Sequence, residues 1–388
     1  MQTVRNLLLS SFVLASLAGT AAADDAIRLK TMGSFFFGGT VTTQADGSTF
    51  HGEHGYAQYY IPEKAKNLPV ILWHGIGQSG KSFETTPDGR EGFQALLPRD
   101  GWAAYIIDQP RRGRAGRSTT MNEAVAAASS PTLASEAGVF SAFRLGTWLP
   151  PKPAVLHPGL KMPSDGYTMD QFMRQQTPDT GARPHTDAHR RFMGQTVGKL
   201  LERTGPAILV THSASGQYGW YTAMMSPERV KAIVAFEPGH HVFPENEIPG
   251  AEVSPVAAVN TAIAQQPVPM KDFLALTKIP ILMIYGDNIA RKPGTIFNDE
   301  VWRISFQNAR KMADAVNRHG GNARVLSLPE AGIRGNTHAA FADTNNKEIL
   351  ELVEKWLNEQ KLDGTDHPHT GPVKTTMPLT VPLAGITQ

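Results

Sequence analysis

Ile208-Leu209-Val210-Thr211-His212-Ser213-Ala214-Ser215-Gly216 is the stretch whose reading decides the fold. An apolar run stops at a His-Ser pair. Small residues follow, and helix-compatible sequence runs from Gln217 to about Met225. This is the pattern of a buried strand turning sharply into a helix with a serine at the apex. Such a turn strains the serine backbone, points Oγ outward and sets the next backbone N–H beside it. The residues two before and two after the serine crowd each other, so G-x-S-x-G is the usual form. Here those places hold Thr211 and Ser215. Thr211 is larger than glycine, and a neighbouring strand would have to leave room for it.

The same alternation extends outward in both directions. Pro69–Trp73, Ala103–Ile107 and Pro280–Tyr285 are continuous apolar runs of the kind buried on both faces of a parallel sheet, and Val230–Phe236, apolar apart from Lys231, reads as a further strand. Ala323–Leu328 reads as the last strand. Phe35–Val41 and Tyr56–Ile61, joined through Asp46-Gly47, read as an antiparallel hairpin at a sheet edge. Helical patterns lie between the runs. Gly92–Leu97 follows the first. Met193, Val197, Leu200 and Leu201 form one stripe of a helix ending near Thr204. Val256–Ala264 has helical potential, Glu300–Arg318 is amphipathic, and Asn346–Leu357 closes the domain. Strands alternating with helices imply an α/β fold: a mostly parallel central sheet covered on both faces. In such sheets the site lies beyond the carboxyl ends of the strands. Reactive residue types recur there: His74, Asp108, Ser213, Glu237 and Asp287, with His338 after the last strand.

Two regions break the pattern. From about 110 to 189 there is little periodicity and much proline and glycine, with aromatic and methionine residues scattered through it. A stretch this long inside a domain is functional or disordered, and its aromatic content argues against disorder. It reads as a cap inserted over a site. Residues 362–388 are rich in Pro and Thr without periodicity and read as a flexible C-terminal tail. At the other end, residues 1–23 carry Arg5, an apolar region from Leu7 to Leu17 and Ala21-Ala22-Ala23, the pattern of a cleavable signal cut after Ala23. Its apolar region is too short to span a bilayer. The α/β domain is therefore expected over 24–361. The formal net charge of +2 gives no electrostatic case for nucleic acid. With Cys at 0, disulfides, thiolate metal sites and cysteine nucleophiles are excluded.

Ser213 is the candidate nucleophile; an ordinary helix-capping serine is the structural alternative. Ser215 falls inside the helix and is a weaker rival. The base should be a histidine near the end of the chain. His240 and His241 follow the proposed acid too closely, His319 sits at a helix end, and His367 and His369 lie in the tail. His338, in a glycine-bearing loop between the last strand and last helix, is left. The acid that orients it is Glu237 or Asp287, and these considerations leave the two open. Glu237 abuts an apolar run and needs a partner. Asp287 follows the penultimate strand but could be a turn residue. The oxyanion donors should be the amides of Ala214 and, from His74-Gly75-Ile76-Gly77, of Ile76. His185 and His189 lack helical context and a third ligand, so neither a metal nor a cofactor is expected. Arg111, Arg112, Arg114 and Arg117 read as a solvated cluster, with carboxylate recognition as the alternative.

With these residues in place the chain resembles an α/β-hydrolase, and more narrowly a small group of bacterial esterases with a Ser–Glu–His triad. The matching pieces are His74-Gly75, Glu84-Thr85-Thr86-Pro87-Asp88-Gly89-Arg90, Asp108-Gln109 with Gly113-Arg114, the stretch around Ser213, Glu237-Pro238-Gly239, and Gly332-Ile333-Arg334-Gly335-Asn336-Thr337-His338. The resemblance implies that the acid follows the strand after the elbow, which favours Glu237 over Asp287. It also supports Ile76 and Ala214 as oxyanion donors. Relatives can carry cysteines in the oxyanion loop where this chain has Ile76-Gly77, so properties tied to those cysteines do not transfer. The expectation is an exported, periplasmic or secreted, carboxylesterase acting on a small-molecule ester with an apolar acyl or alcohol group. It would have no nucleic-acid partner and no stable membrane insertion. A homodimer is compatible with the sequence, which does not set the oligomeric state. Two alternatives stand beside it: the same triad acting on an amide, lactone or carbon–carbon bond, and a hydrolase-fold binding protein without turnover.

Overall fold

Each apolar run became a strand, and the alternation of side chains along those strands builds two cores at once. The computed structural model describes residues 26–116, 135–176, 180–181 and 183–375. Its main sheet has eight strands: β1 (Leu29–Thr43), β2 (Thr49–Pro62), β3 (Val70–Trp73), β4 (Ala104–Asp108), β5 (Ala207–His212), β6 (Val230–Phe236), β7 (Pro280–Tyr285) and β8 (Asn322–Ser327). Their spatial order is β1-β2-β4-β3-β5-β6-β7-β8. The β1–β2 and β2–β4 pairs are antiparallel, and the remaining pairs are parallel. Ile71 and Trp73 of β3 face one layer and Val70 and Leu72 the other, as the strand period requires.

Helices α2 (Asp187–Thr204), α3 (Ser215–Met225) and α4 (Phe297–Arg318) cover the first face. They pack Met193, Val197, Leu200, Trp220, Met312 and Val316 against Ile71, Leu209 and Met283. Helices α1 (Phe93–Arg99) and α5 (Asn346–Glu359) cover the second, with Leu96, Ile349, Val353 and Trp356 against Leu72, Val210 and Ile284. Burying a side chain of this size fully is worth about 1.5–3 kcal/mol.

Three expectations need adjustment. The edge hairpin is longer than the apolar runs at its centre, because its outer half is held by strand pairing and lies largely exposed. The insertion contains helices at Glu136–Ala142 and Gly166–Arg174, and α2 already begins at Asp187, capped by Thr186. Its Phe140, Phe143, Met162 and Phe172 are buried in the second core. The segment read as a flexible tail is fastened to the body as far as it is described: Asn67 donates to the Gly364 carbonyl (2.8 Å), His369 to Lys66 (3.0 Å) and Val373 to Arg203 (2.8 Å). The His369 ring also meets the Tyr105 hydroxyl at 2.8 Å. The first three bonds join backbone groups and carry no sequence periodicity. The signal segment, residues 117–134 of the insertion and residues 376–388 lie outside the described residues.

Candidate active site

The chain leaves β5 at His212 and enters α3 at Ser215, so the turn between them is two residues long. Ser213 sits at φ 55°, the left-handed region that a side chain normally avoids. The surroundings hold it there. Its N–H donates to the Phe236 carbonyl (2.9 Å), and its carbonyl accepts from Gly216 (3.1 Å) and Gly239 (3.3 Å). Room for Thr211 comes from the helix, not from a neighbouring strand as expected. A Cβ on Gly219 would lie 2.9 Å from the Thr211 methyl. Gly216 likewise admits Pro238, whose Cβ would be 2.5 Å away from any added methyl. Ser215 is fully buried and ties the turn: its hydroxyl accepts from the His212 N–H and faces the Trp73 and His212 carbonyls, each at 2.9 Å. Those contacts make it a structural serine and leave Ser213, 6% exposed, at the apex.

His338 lies in the loop after β8. Its Nδ1 is 2.6 Å from Glu237 Oε2, and both side chains are buried. Its backbone N–H donates to the Phe143 carbonyl (3.1 Å). The ring packs on Trp302 (centroids 4.0 Å apart), on the edge of Phe143 (5.1 Å) and on His212 (4.4 Å). His212 bridges the components, with Gln78 at Nδ1 and the His338 carbonyl at Nε2, both at 3.1 Å. Among the described residues no hydrogen bond joins the Ser213 hydroxyl to another side chain; such contacts often tighten only when substrate binds. Burial lowers the His338 pKa below its ordinary value, opposed by the Glu237 contact. The ring is therefore neutral near pH 7 and able to accept a proton at Nε2.

Glu237 leaves β6 at φ 44° and accepts four hydrogen bonds. Oε2 takes His338 Nδ1 and Arg144 Nη1 (2.7 Å); Oε1 takes the Gly286 N–H (2.6 Å) and Arg144 Nη2. Burial works to raise its pKa, but the Arg144 charge and the bonds from His338 and Arg144 outweigh it and hold the carboxyl down at about 2. Asp287, the rival acid, does not face the imidazole. Its Oδ1 accepts from Asn288 (2.8 Å) and its Oδ2 from Gly335 (2.9 Å), so it clasps the loop that carries His338. Asp343 braces that loop from the other side, accepting from the Thr337 N–H (2.7 Å), the Thr337 hydroxyl (2.9 Å) and Asn336 (2.9 Å). Burial pushes its carboxyl up to about 7.

The loop after β3 closes against the apex: a Cβ on Gly75 would lie 2.8 Å from His212 Nδ1 and 3.1 Å from Ser213 Cβ. Ile76 follows it, 41% exposed, and neither its amide nor that of Ala214 donates to another group among the described hydrogen bonds. His74 and Asp108, both at strand ends, shape this loop. His74 is buried, is pushed down to about 4 by burial, and touches the Gly75 carbonyl (2.8 Å). Asp108 accepts from Gly80 (2.6 Å) and from Arg114 Nε (2.7 Å).

The arginine cluster divides. Arg111 pairs with Glu53 (2.8 Å), Arg114 with Asp108, Arg112 is buried, and Arg117 lies outside the described residues. Among the described residues no group of three or more His, Asp or Glu side chains is placed to hold a metal. The arginine that matters, Arg144, escaped the sequence reading. A usable signal existed: a charge between Phe143 and Leu145 needs a buried partner, as Glu237 does.

No family model matches the chain. A probable secreted lipase, phiG, of Fungal sp. is 29% identical over 334 residues, covering 79% of this chain and 86% of that protein. The solved structure of a novel bacterial esterase superposes with a TM-score of 0.67 at 28% identity, covering 86% of this chain and 97% of that one. Among the described residues no helix is long and apolar enough to cross a membrane.

Proposed function

Because the chain belongs to the α/β-hydrolase superfamily, we propose that it is an exported serine carboxylesterase in which Ser213, His338 and Glu237 form the catalytic triad. The observation that carries this reading is the buried His338–Glu237 pair beside a serine held at φ 55° between strand and helix. Ser213 Oγ attacks the ester carbonyl while His338 Nε2 takes its proton. The carbonyl oxygen becomes an oxyanion between the amides of Ile76 and Ala214. His338 then protonates the leaving alcohol, the acyl group stays on Ser213, and a water activated by His338 releases the acid. Glu237 keeps Nδ1 protonated so that Nε2 is the basic atom. The names of the similar lipase and esterase support an ester substrate, and the former supports export; cleavage after Ala23 rests on the sequence pattern of residues 1–23.

Ser213→Ala should lower esterase turnover by about 10⁴-fold or more while the circular dichroism spectrum stays that of the parent. Retained p-nitrophenyl ester hydrolysis in that variant would remove Ser213 from the mechanism. Labelling of the parent by a fluorophosphonate probe separates the competing readings. A folded protein that resists the probe is a binding protein. A labelled protein inert towards esters of graded chain length acts on an amide, lactone or carbon–carbon bond.

A further inference from the structure

We infer that Arg144 is a positioning residue of the reaction: a buried guanidinium, delivered by the insertion, that fixes Glu237 on His338 and keeps the imidazole in its proton-accepting form. This rests on the triad reading above. Three features of the geometry point to it. The side chain is 2% exposed and meets the carboxylate as a fork, with Nη1 on Oε2 and Nη2 on Oε1. Its Nε donates to the Asp287 carbonyl at 2.8 Å, and the guanidinium lies over Trp302, 5.6 Å from the ring centroid. Its backbone is at φ 53°, a conformation a side-chain-bearing residue holds only when its surroundings demand it.

A simple anchor for the insertion would not need this arrangement. The insertion is already fastened by the Phe143 carbonyl to the His338 N–H (3.1 Å) and by the Ala142 carbonyl to Trp302 Nε1 (2.7 Å). The fork instead fills the Glu237 lone pairs that His338 and Gly286 leave, so the carboxylate cannot rotate away from Nδ1. It also places a permanent cation close to the imidazole, which opposes protonation of His338. The other titratable groups facing this centre contribute less charge. His212, from the end of β5, is pushed well below its ordinary value by burial, and Tyr285, from the end of β7, well above its own; both are neutral. Asp343 is pushed up to about 7 by burial, and burial also raises Asp299 of α4 and lowers His157 of the insertion. The Asp287 carboxylate is turned to Asn288 and Gly335. Glu237 and Arg144 are thus the two opposite charges that set the basicity of His338.

The full chain, Arg144→Gln and Arg144→Lys are compared by p-nitrophenyl acetate hydrolysis and fluorophosphonate labelling rate from about pH 4 to about pH 9. In Arg144→Gln the acid limb of kcat/KM should move up by roughly one pH unit or more, because the cation opposing imidazolium is gone. Its plateau should fall at least about tenfold. Arg144→Lys keeps the charge and loses the fork, so its acid limb should stay in place while kcat falls. A folded Arg144→Gln enzyme with the parent's acid limb overturns the inference, since a merely structural arginine changes the amount of active enzyme and not its pH profile. If circular dichroism shows that Arg144→Gln does not fold, Arg144→Lys decides: parental kcat overturns the inference, and a reduced kcat with an unmoved acid limb upholds it. A parent chain that the probe does not label sinks the triad reading and this inference together; a labelled parent with unmoved variants sinks this inference alone.

Discussion

The two sides of the active centre are built by different rules. On the sheet side, Ser213 and Glu237 stand at the ends of the adjacent strands β5 and β6, each at positive φ and each introduced by an apolar run. Their positions follow from strand length and hydrogen-bond register. On the insertion side, Phe143 and Arg144 reach the same centre from a segment with little periodicity, through one backbone carbonyl and one guanidinium. Regular structure delivers Ser213 and Glu237 there, and irregular structure sets the electrostatics around them. A reading based on periodicity finds the first and passes over the second.

The sharpest test of the sheet side compares its two carboxylates. Glu237→Gln removes the charge that meets His338 Nδ1 and offers an amide that can present the wrong atom to the ring. We expect kcat to fall by about 10³–10⁴-fold. Asp287→Asn keeps an oxygen for the Asn288 N–H and leaves the imidazole untouched, so the loss should stay within about tenfold. Stopped-flow or steady-state rates on one p-nitrophenyl ester decide it. The opposite ranking would move the acid to Asp287 and detach Arg144 from the chemistry.

What the sequence made legible follows the same division. Strand β7 spans Pro280–Tyr285 as read from its apolar run, and β6 spans Val230–Phe236. The strand ends brought His338 and Glu237 to one place although they lie 101 residues apart. Between Glu237 and Asp287 the local sequence was evenly balanced, because both follow a buried strand; the resemblance favoured Glu237, and geometry separates them by what each oxygen faces. Arg144 was hidden by distance, its partner being 93 residues away. Yet a charge beside Phe143 and a carboxylate ending an apolar strand each required a buried partner, and they are each other's. The docked segment 362–375 was invisible for another reason: backbone bonds to Asn67, Lys66 and Arg203 leave no mark in residue type.

The elbow offers a finer probe of the sheet side, in stability and not in rate. Gly219→Ala should gain up to about 1 kcal/mol of helix propensity. Its Cβ would lie 2.9 Å from the Thr211 methyl, and overpacking of that kind costs about 1–3 kcal/mol. The balance should be destabilising. Thr211→Ser removes the methyl, so the double variant should recover most of the loss, a coupling readable from urea midpoints. Additive effects would mean that another contact, and not Thr211, dictates glycine at 219.

The smallest expected effect concerns the loop that carries His338. Asp343 has a folded pKa of about 7, raised by burial, against about 3.9 in an unfolded chain. A group whose pKa is raised on folding contributes stability that is full below its unfolded pKa and is lost as pH rises through its folded pKa. Between about pH 4 and about pH 7, therefore, Asp343 works against the folded state progressively, while Glu237, held at about 2, is fully ionised and adds no slope in that window. Asp343→Asn keeps an oxygen for Thr337 and removes the titration. Thermal unfolding should then show a flatter fall of Tm across the window, by a few degrees at its upper end. Asn336 shares the retained oxygen with the Thr337 N–H, and the amide nitrogen takes the place of Oδ1, where the Thr337 hydroxyl can turn to accept. An unchanged slope would place the proton on another group and leave Asp343 as a charged brace.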